Sequence, residues 1–101
     1  MQQLLNMNPF HLEACLLLAS IYEEKGEMKK AVELYGQAHS IDINDPAAIY
    51  NLARTLDLSG DRVNASKYYQ LYLNGNLEKD DELELAVRKR LNFLLLILGD
   101  K

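Results

Sequence analysis

The chain repeats itself with a period of 34 residues. Shifting the sequence over itself by this amount places Leu18 on Leu52, with Glu27 falling on another acid, Asp61. A period of this length is typical of stacked repeats, in which one unit cannot bury its apolar face without a neighbour. The fold is therefore constrained by the repeat more than by composition. The other coincidences are Ala19 with Ala53, Gly26 with Gly60, Ala31 with Ala65 and Tyr35 with Tyr69.

Each copy of the repeat predicts two helices joined by a tight turn. Leu18 and Tyr22 are four residues apart and share one helical face, as do Ala31 and Tyr35 further on. Gly26 can adopt a positive φ and end the first helix, and the acid that follows it can cap the second. The two turns are predicted at Lys25–Glu27 and Ser59–Asp61. The expected core comprises Leu18, Ala19, Tyr22, Ala31, Tyr35, Ala38, Leu52, Ala53, Leu56, Ala65, Tyr69 and Tyr72.

This pattern resembles the tetratricopeptide repeat (TPR) family, which has a 34-residue period with Leu-Ala, an aromatic residue, Gly followed by an acid, Ala and a second aromatic residue. Cys15 and Ile49 stand where the family favours Trp, and Leu56 replaces the aromatic residue kept as Tyr22. Each replacement is apolar, so the fold implied by the resemblance is retained. It is an all-α structure, an α-solenoid of antiparallel helix pairs forming a TPR-like right-handed superhelix.

The repeat boundaries predict a single TPR-like domain over residues 1–101. A Gly-Asp pair at Gly99-Asp100 lies 39 residues after Gly60, so a third unit requires a five-residue insertion. Residues 80–101 are thus either a truncated third repeat, which we favour, or a capping helix. Before them we expect the tail of a preceding repeat helix at 1–8, repeat one at 9–45 and repeat two at 46–79.

The charge and composition of the chain limit the kinds of partner that it is expected to bind. The chain has 101 residues, a net charge of −4 and one cysteine, which excludes an intramolecular disulfide. Nucleic-acid binding is disfavoured because Arg88-Lys89-Arg90 is a small basic cluster, which we expect to balance the acidic run at 78–84. The sequence shows no leader and no apolar run near the ~20 residues that span a bilayer. We therefore expect a cytoplasmic protein with no membrane insertion.

The sequence carries no catalytic motif, and we expect no enzymatic activity, no cofactor and no metal. His11 and Cys15 are four residues apart and could form half a zinc site, but the usual four ligands are not available nearby. Cys15 is interpreted as a core residue beneath a surface His11. Glu23-Glu24 do not form a catalytic pair, because adjacent helical residues diverge by about 100°.

The resemblance implies a function in protein–protein interaction. In the family, the first helices of successive units build a concave wall that binds a peptide or helix of another protein. Tyr50 and Phe93 would offer rigid contact area, while Arg54 and Lys89 could hold a carboxylate. The wall would then be acidic on one side and basic on the other, and a bound peptide should be oriented by charge with its acidic end toward the third helix. The peptide-binding residues implied are Glu13, Leu16, Ser20, Glu23, Tyr50, Asn51, Arg54, Asp57, Lys89 and Phe93, with Arg90 between the last two.

Three functions are compatible with this surface. We favour a non-catalytic scaffold with a peptide or helix in the groove. The alternatives are a docking or regulatory segment of a larger enzyme, and an oligomerisation module without a groove ligand. Binding of chaperone C-termini, which one TPR subgroup performs, is disfavoured because only Asn51 and Arg90 match its carboxylate clamp. The other clamp positions hold Leu16, Ser20 and Ala86.

The last helix predicts self-association. The segment 91–98 contains more apolar residues than one preceding unit can cover, and monomers seldom leave large apolar patches exposed. We expect contact through this C-terminal helix. A symmetric dimer is favoured because it closes, whereas a head-to-tail contact with Met1–Met7 of a second copy would continue the superhelix.

Overall fold

A computed structural model describes residues 10–75 and 81–99, and this part of the chain contains helices and no strand. The predicted helix tail at 1–8 lies outside the described residues. The all-α prediction is confirmed. The helices are α1 (Phe10–Glu24), α2 (Met28–Ile41), α3 (Pro46–Leu58), α4 (Arg62–Asn74) and α5 (Asp81–Leu98).

The two predicted turns are confirmed and have the same geometry. Gly26 and Gly60 have φ of +82° and +96°, values that residues with a Cβ rarely adopt. The amide that follows each glycine donates back into the preceding helix, from Glu27 to the Tyr22 carbonyl and from Asp61 to the Leu56 carbonyl, at 2.9 Å in both cases. This bond satisfies a carbonyl at the helix end and reverses the chain.

The helix starts differ in how they are capped. Asp45 accepts a hydrogen bond from the Ala48 amide at 2.9 Å, and Pro46 occupies the first turn, where its missing amide hydrogen costs nothing. Asp61 caps α4 in the same way, through the Asn64 amide at 3.2 Å. Glu27 was expected to do likewise for α2, but its side chain makes no capping bond. Glutamate is not among the short side chains that fit this role.

The helices stack in chain order. Helix α1 packs against α2 and α3 against α4, forming unit one and unit two, while α2 contacts α3 and α4 contacts α5. Small residues at these contacts let the helices approach closely, and Ala19, Ala31, Ala53 and Ala65 are fully buried. The architecture is an α-solenoid of helix pairs.

The predicted core is confirmed except at Leu18 and Tyr22. Leu18 is 43% exposed, whereas its repeat counterpart Leu52 is 4% exposed. Leu52 belongs to the buried cluster that joins the two units, but among the described residues no helix precedes α1 to cover Leu18. Tyr22 is half-buried, with the Lys30 ammonium 5.3 Å from its ring centroid.

Helix α5 meets unit two much as α3 meets unit one. Val87, Leu91 and Leu94 are the buried residues of α5. They follow by 39 residues three buried residues of α3, which are Ala48, Leu52 and Thr55. Helix α5 therefore packs on unit two with the same face that the first helix α3 uses to pack in the core. The division of residues 80–101 into a truncated repeat or a cap stays a prediction.

We expect Ala53→Leu to lower the free energy of unfolding by about 1–3 kcal/mol, because added methyl groups cannot fit at a fully buried helix contact. Ala47→Leu on the exposed side of the same helix is the matched control and should have little effect. Urea denaturation of both variants measures the difference. Equal stability of the two variants would show that the contact at Ala53 tolerates a larger side chain.

Candidate functional site

The first helices α1, α3 and α5 are joined to one another by ion pairs. Arg54 on α3 donates both guanidinium Nη groups to the two carboxylate oxygens of Glu23 on α1, with Nη2 2.8 Å from Oε1. Arg90 on α5 donates to Asp57 on α3 through Nε at 2.7 Å and Nη2 at 2.8 Å. Both pairs are bidentate, a geometry that fixes orientation as well as adding energy. We call the side of the stack formed by these three helices the inner wall.

Each of these carboxylates also accepts a hydrogen bond from the second helix of its own unit. The Tyr35 hydroxyl donates to Glu23 and the Tyr69 hydroxyl donates to Asp57, both at 3.1 Å. In both units the tyrosine follows the acid by 12 residues. The same Tyr–acid–Arg arrangement therefore occurs twice. We call these the two triads: Tyr35/Glu23/Arg54 and Tyr69/Asp57/Arg90.

The triads keep the acids ionised. The Glu23 and Asp57 side chains are only 16% and 8% exposed. Hydrogen bonding to Arg54 lowers the pKa of Glu23, and hydrogen bonding to Arg90 lowers the pKa of Asp57, in each case against the opposing effect of burial. Burial and the nearby Glu23 charge raise the pKa of Tyr35 to about 12. The tyrosines are thus protonated donors and the acids charged acceptors at neutral pH.

Each triad arginine also faces an aromatic ring. The guanidinium carbon of Arg54 lies 5.9 Å from the Tyr50 ring centroid, and that of Arg90 lies 5.2 Å from the Phe93 centroid. Tyr50 also contacts Tyr72 with ring centroids 5.9 Å apart. Distances in this range permit cation–π attraction. Both arginines are therefore held between a carboxylate and a ring.

A cavity of about 230 Å³ lies where the inner wall passes from unit two to α5. Tyr50 and Tyr69 supply aromatic surface, Ala86 and Val87 supply apolar surface, and Arg90 supplies the charged edge. The bidentate pair to Asp57 uses Nε and Nη2 of Arg90 and does not involve Nη1. The cavity can therefore receive a side chain with an apolar body and a hydrogen-bond acceptor at its end.

Most of the predicted site residues of unit two lie together. Asn51 accepts a hydrogen bond from Arg54 at 3.2 Å, next to the ring of Tyr50. Asp57 lies in the second triad, where Arg90 joins it to the ring of Phe93.

The predicted residues of α1 are less concentrated. The Ser20 hydroxyl donates to the Leu17 carbonyl at 2.8 Å, and Leu16 is half-buried against the core. Glu13 on α1 and Lys89 on α5 are exposed to solvent. Of the α1 set, Glu23 alone enters a triad.

The structure corrects the expected role of Arg54. The sequence predicted that Arg54 could hold a partner's carboxylate opposite an acidic wall, but its guanidinium is bound to Glu23 of the neighbouring unit. The acid is largely shielded from water, and a buried charge requires a partner. The expected contrast between an acidic and a basic side is consequently not formed at these residues.

The basic cluster 88–90 is divided between two partners. Arg88 pairs with Glu84 one turn earlier, at 3.1 Å, as expected for a cluster that balances the acidic run. Arg90 instead reaches Asp57, which sequence reasoning did not foresee. Sequence reasoning also missed Tyr35 and Tyr69 as hydrogen-bond donors. The signal that could have revealed them is the repeated 12-residue spacing from acid to tyrosine.

The stacked helix pairs and the repeated triads define a helical repeat protein. Residues 14–47 match the family model of the tetratricopeptide repeat. The resemblance to this family that the sequence pattern predicted is therefore confirmed over this stretch. Comparison with curated proteins gives no match.

Neither a membrane span nor a metal site is found within the residues that the structure describes. Among them, no helix combines the length and the apolar character needed to cross a bilayer. In the same part of the chain, no group of three or more His, Cys, Asp or Glu side chains is placed to hold a metal ion.

The triads predict a pH dependence of stability. Because the pKa values of Glu23 and Asp57 are lowered by folding, their contribution is present above their unfolded values of about 4 and is lost as the pH falls through the lowered folded values. We expect Glu23→Gln with Asp57→Asn to destabilise the chain by about 1–2 kcal/mol per pair at neutral pH, between the values for exposed and buried pairs. Urea unfolding should show this difference shrinking toward pH 3.

Glu84→Gln is the control for that experiment, since it removes the more exposed pair with Arg88. It should change stability by no more than a few tenths of a kcal/mol. A double triad variant that unfolds like this control at neutral pH would contradict a stabilising role for the triads.

Proposed function

We propose that the chain is a non-catalytic interaction scaffold whose inner wall binds an extended peptide or a helix of another protein. TPR repeats generally mediate protein–protein interaction. The observation that carries the proposal is the cavity bordered by Tyr50 and Arg90, which lies between two first helices. Aromatic and arginine side chains in such a position are the residue types that dominate binding energy at interfaces.

The triads indicate what the partner presents. Glu23 and Asp57 each neutralise an arginine, so the wall offers little net charge at these positions. The Asp57 pair does not use Nη1 of Arg90, which is thus left for a ligand among the described residues, and it orients the guanidinium, which lowers the entropy cost of binding. We propose that the partner inserts one large apolar or aromatic side chain into the cavity and places a hydrogen-bond acceptor, such as a hydroxyl or amide oxygen, beside Nη1 of Arg90.

The remaining predicted residues extend this contact along the wall. Asn51 and Ser20 are half-buried on α3 and α1 and could bond to the backbone of an extended peptide. Phe93 is 49% exposed beside Arg90 and offers apolar contact at the α5 side. Further along the inner wall, the ligand would be flanked by Glu13, Leu16 and Lys89. The partner is proposed to be a protein rather than a nucleic acid, because the chain carries a net charge of −4.

A displayed library of random peptides tests the proposal, because the selection itself identifies the ligand. Peptides selected on the wild-type chain should carry an aromatic or large apolar residue that has a hydrogen-bond acceptor at its end or beside it. Ala86→Phe fills the cavity from an exposed position and should weaken their binding at least tenfold. Fluorescence anisotropy with a labelled selected peptide measures the change.

Gln70→Phe is the matched control because it adds the same ring on the outer face of α4, at a position bordering a separate depression. It should leave peptide affinity unchanged. Peptides that bind the Ala86→Phe variant as tightly as the wild type would remove the cavity from the proposal. Loss of binding in Gln70→Phe alone would move the site to the outer face.

A docking or regulatory segment of a larger enzyme is the alternative function. It uses the same wall, and it differs only in what is joined to this segment. A catalytic domain encoded in the same gene product would favour this alternative, so sequencing the full transcript discriminates between the two.

A further inference from the structure

The Tyr50 ring borders the cavity and is contacted by two other side chains of the wall and core. The ring of Tyr72, on α4, has its centroid 5.9 Å away and is tilted by 54°. Tyr72 is a fixed neighbour, because it belongs to the buried core. The second neighbour is Arg54, whose guanidinium carbon also lies 5.9 Å from the Tyr50 ring centroid. The orientation of Tyr50 therefore depends on how firmly Arg54 is held.

Arg54 is held by a residue of the neighbouring unit. Its two Nη groups donate to the carboxylate of Glu23 on α1, and Nη2 also donates to the side-chain oxygen of Asn51 at 3.2 Å. An unpaired arginine samples many rotamers, whereas a bidentate carboxylate fixes the orientation of its guanidinium. Glu23 is oriented in turn by the Tyr35 hydroxyl, at 3.1 Å. A continuous series of contacts therefore joins unit one to the cavity: Tyr35, Glu23, Arg54 and Tyr50.

We propose that Glu23, which does not line the cavity, sets the affinity of the cavity for its ligand by orienting Arg54 and thereby the Tyr50 ring. The inference rests on the proposed function, because it concerns the same cavity. Glu23 is then a positioning residue and not a contact residue for the peptide, in agreement with a side chain that is only 16% exposed. A ring that is already ordered receives the partner's side chain without further loss of entropy, whereas a mobile ring must be ordered during binding.

The second triad reaches the same cavity in a different way. Arg90, which Asp57 holds, is itself a lining residue, so a change at Asp57 alters the edge of the cavity directly. Neither Glu23 nor Arg54 is a lining residue, so a change at Glu23 reaches a side chain in the cavity only through a neighbour. The lining residue that Arg54 contacts is Tyr50. Glu23 is therefore the position at which orientation of the ring can be separated from direct contact with the ligand.

Fluorine NMR of the full chain tests the positioning role without any ligand. The chain has six tyrosines, so uniform labelling with fluorotyrosine gives six signals, and Tyr50→Phe identifies the one from Tyr50. We expect Glu23→Gln to shift and narrow this signal, because the ring loses its fixed neighbour and moves faster. Glu33→Gly is the matched control, since it also removes one negative charge and weakens unit one through helix propensity at an exposed position of α2. A Tyr50 signal that is unchanged in Glu23→Gln, or changed equally in both variants, overturns the proposal.

Peptide affinity tests the consequence for binding. For a selected peptide whose binding is weakened by Ala86→Phe, Glu23→Gln should raise the dissociation constant by about threefold to tenfold, the range expected for ordering one side chain. Glu33→Gly should leave it unchanged. In a Tyr50→Leu background the loss caused by Glu23→Gln should disappear, because the contact through which it acts is absent. The same loss in both backgrounds, or no loss in the wild-type background, overturns the proposal.

The proposed function and the positioning role fail by different results. If Ala86→Phe weakens no selected peptide, the cavity is not the binding site, and both the proposed function and the effect of Glu23 on affinity are wrong. If Ala86→Phe weakens binding and Glu23→Gln does not, the cavity binds the peptide and only the positioning role of Glu23 is wrong.

Discussion

In each unit, one carboxylate is withdrawn from water at the point where the unit meets its neighbour. A shielded charge of this kind destabilises a fold unless it is paired and hydrogen-bonded. Glu23 and Asp57 are satisfied from two sides, by a tyrosine of their own unit and an arginine of the next first helix. The bidentate geometry allows only a narrow range of helix spacings and orientations. The shape of the inner wall, and therefore of the cavity within it, depends on these contacts.

The sequence predicted the structural features that depend on one repeat unit alone. It failed for the features that depend on contacts with a neighbouring unit. The 34-residue period was sufficient for the helix pairs, the Gly26 and Gly60 turns and most of the core, because these follow from local pattern. Leu18 was expected to be buried by analogy with Leu52, but burial on that flank needs an adjoining unit. The ion pairs were also missed. Asp57 pairs with one of three consecutive basic residues of α5. Which of them it pairs with depends on the rotation of α5 about its axis, because successive residues differ by about 100°, and no local pattern fixes that rotation.

Pairing within the wall changes the kind of recognition that the wall can perform. Opposed acidic and basic sides would orient a ligand by charge over a long distance and would respond strongly to salt. With Arg54 bound to Glu23, the remaining features are a cavity, aromatic surface at Tyr50 and one guanidinium edge at Arg90. Such a surface selects by shape and by a short-range hydrogen bond. The anchor side chain proposed for the partner follows from this difference.

The order of residues along the first helices also determines where the series of ion pairs begins and ends among the described residues. An arginine precedes the acid by three residues on α3, where Arg54 faces unit one and Asp57 faces α5. On α1 the position that corresponds to Arg54 is Ser20, and on α5, in the 39-residue register of the buried residues, the position that corresponds to Asp57 is Leu96. The series of ion pairs therefore begins with Glu23 and ends with Arg90, with each charge partnered inside the chain. A further helix that met α1 or α5 at these positions would therefore face the uncharged side chain of Ser20 or Leu96, and an ion pair of the triad type would not form there.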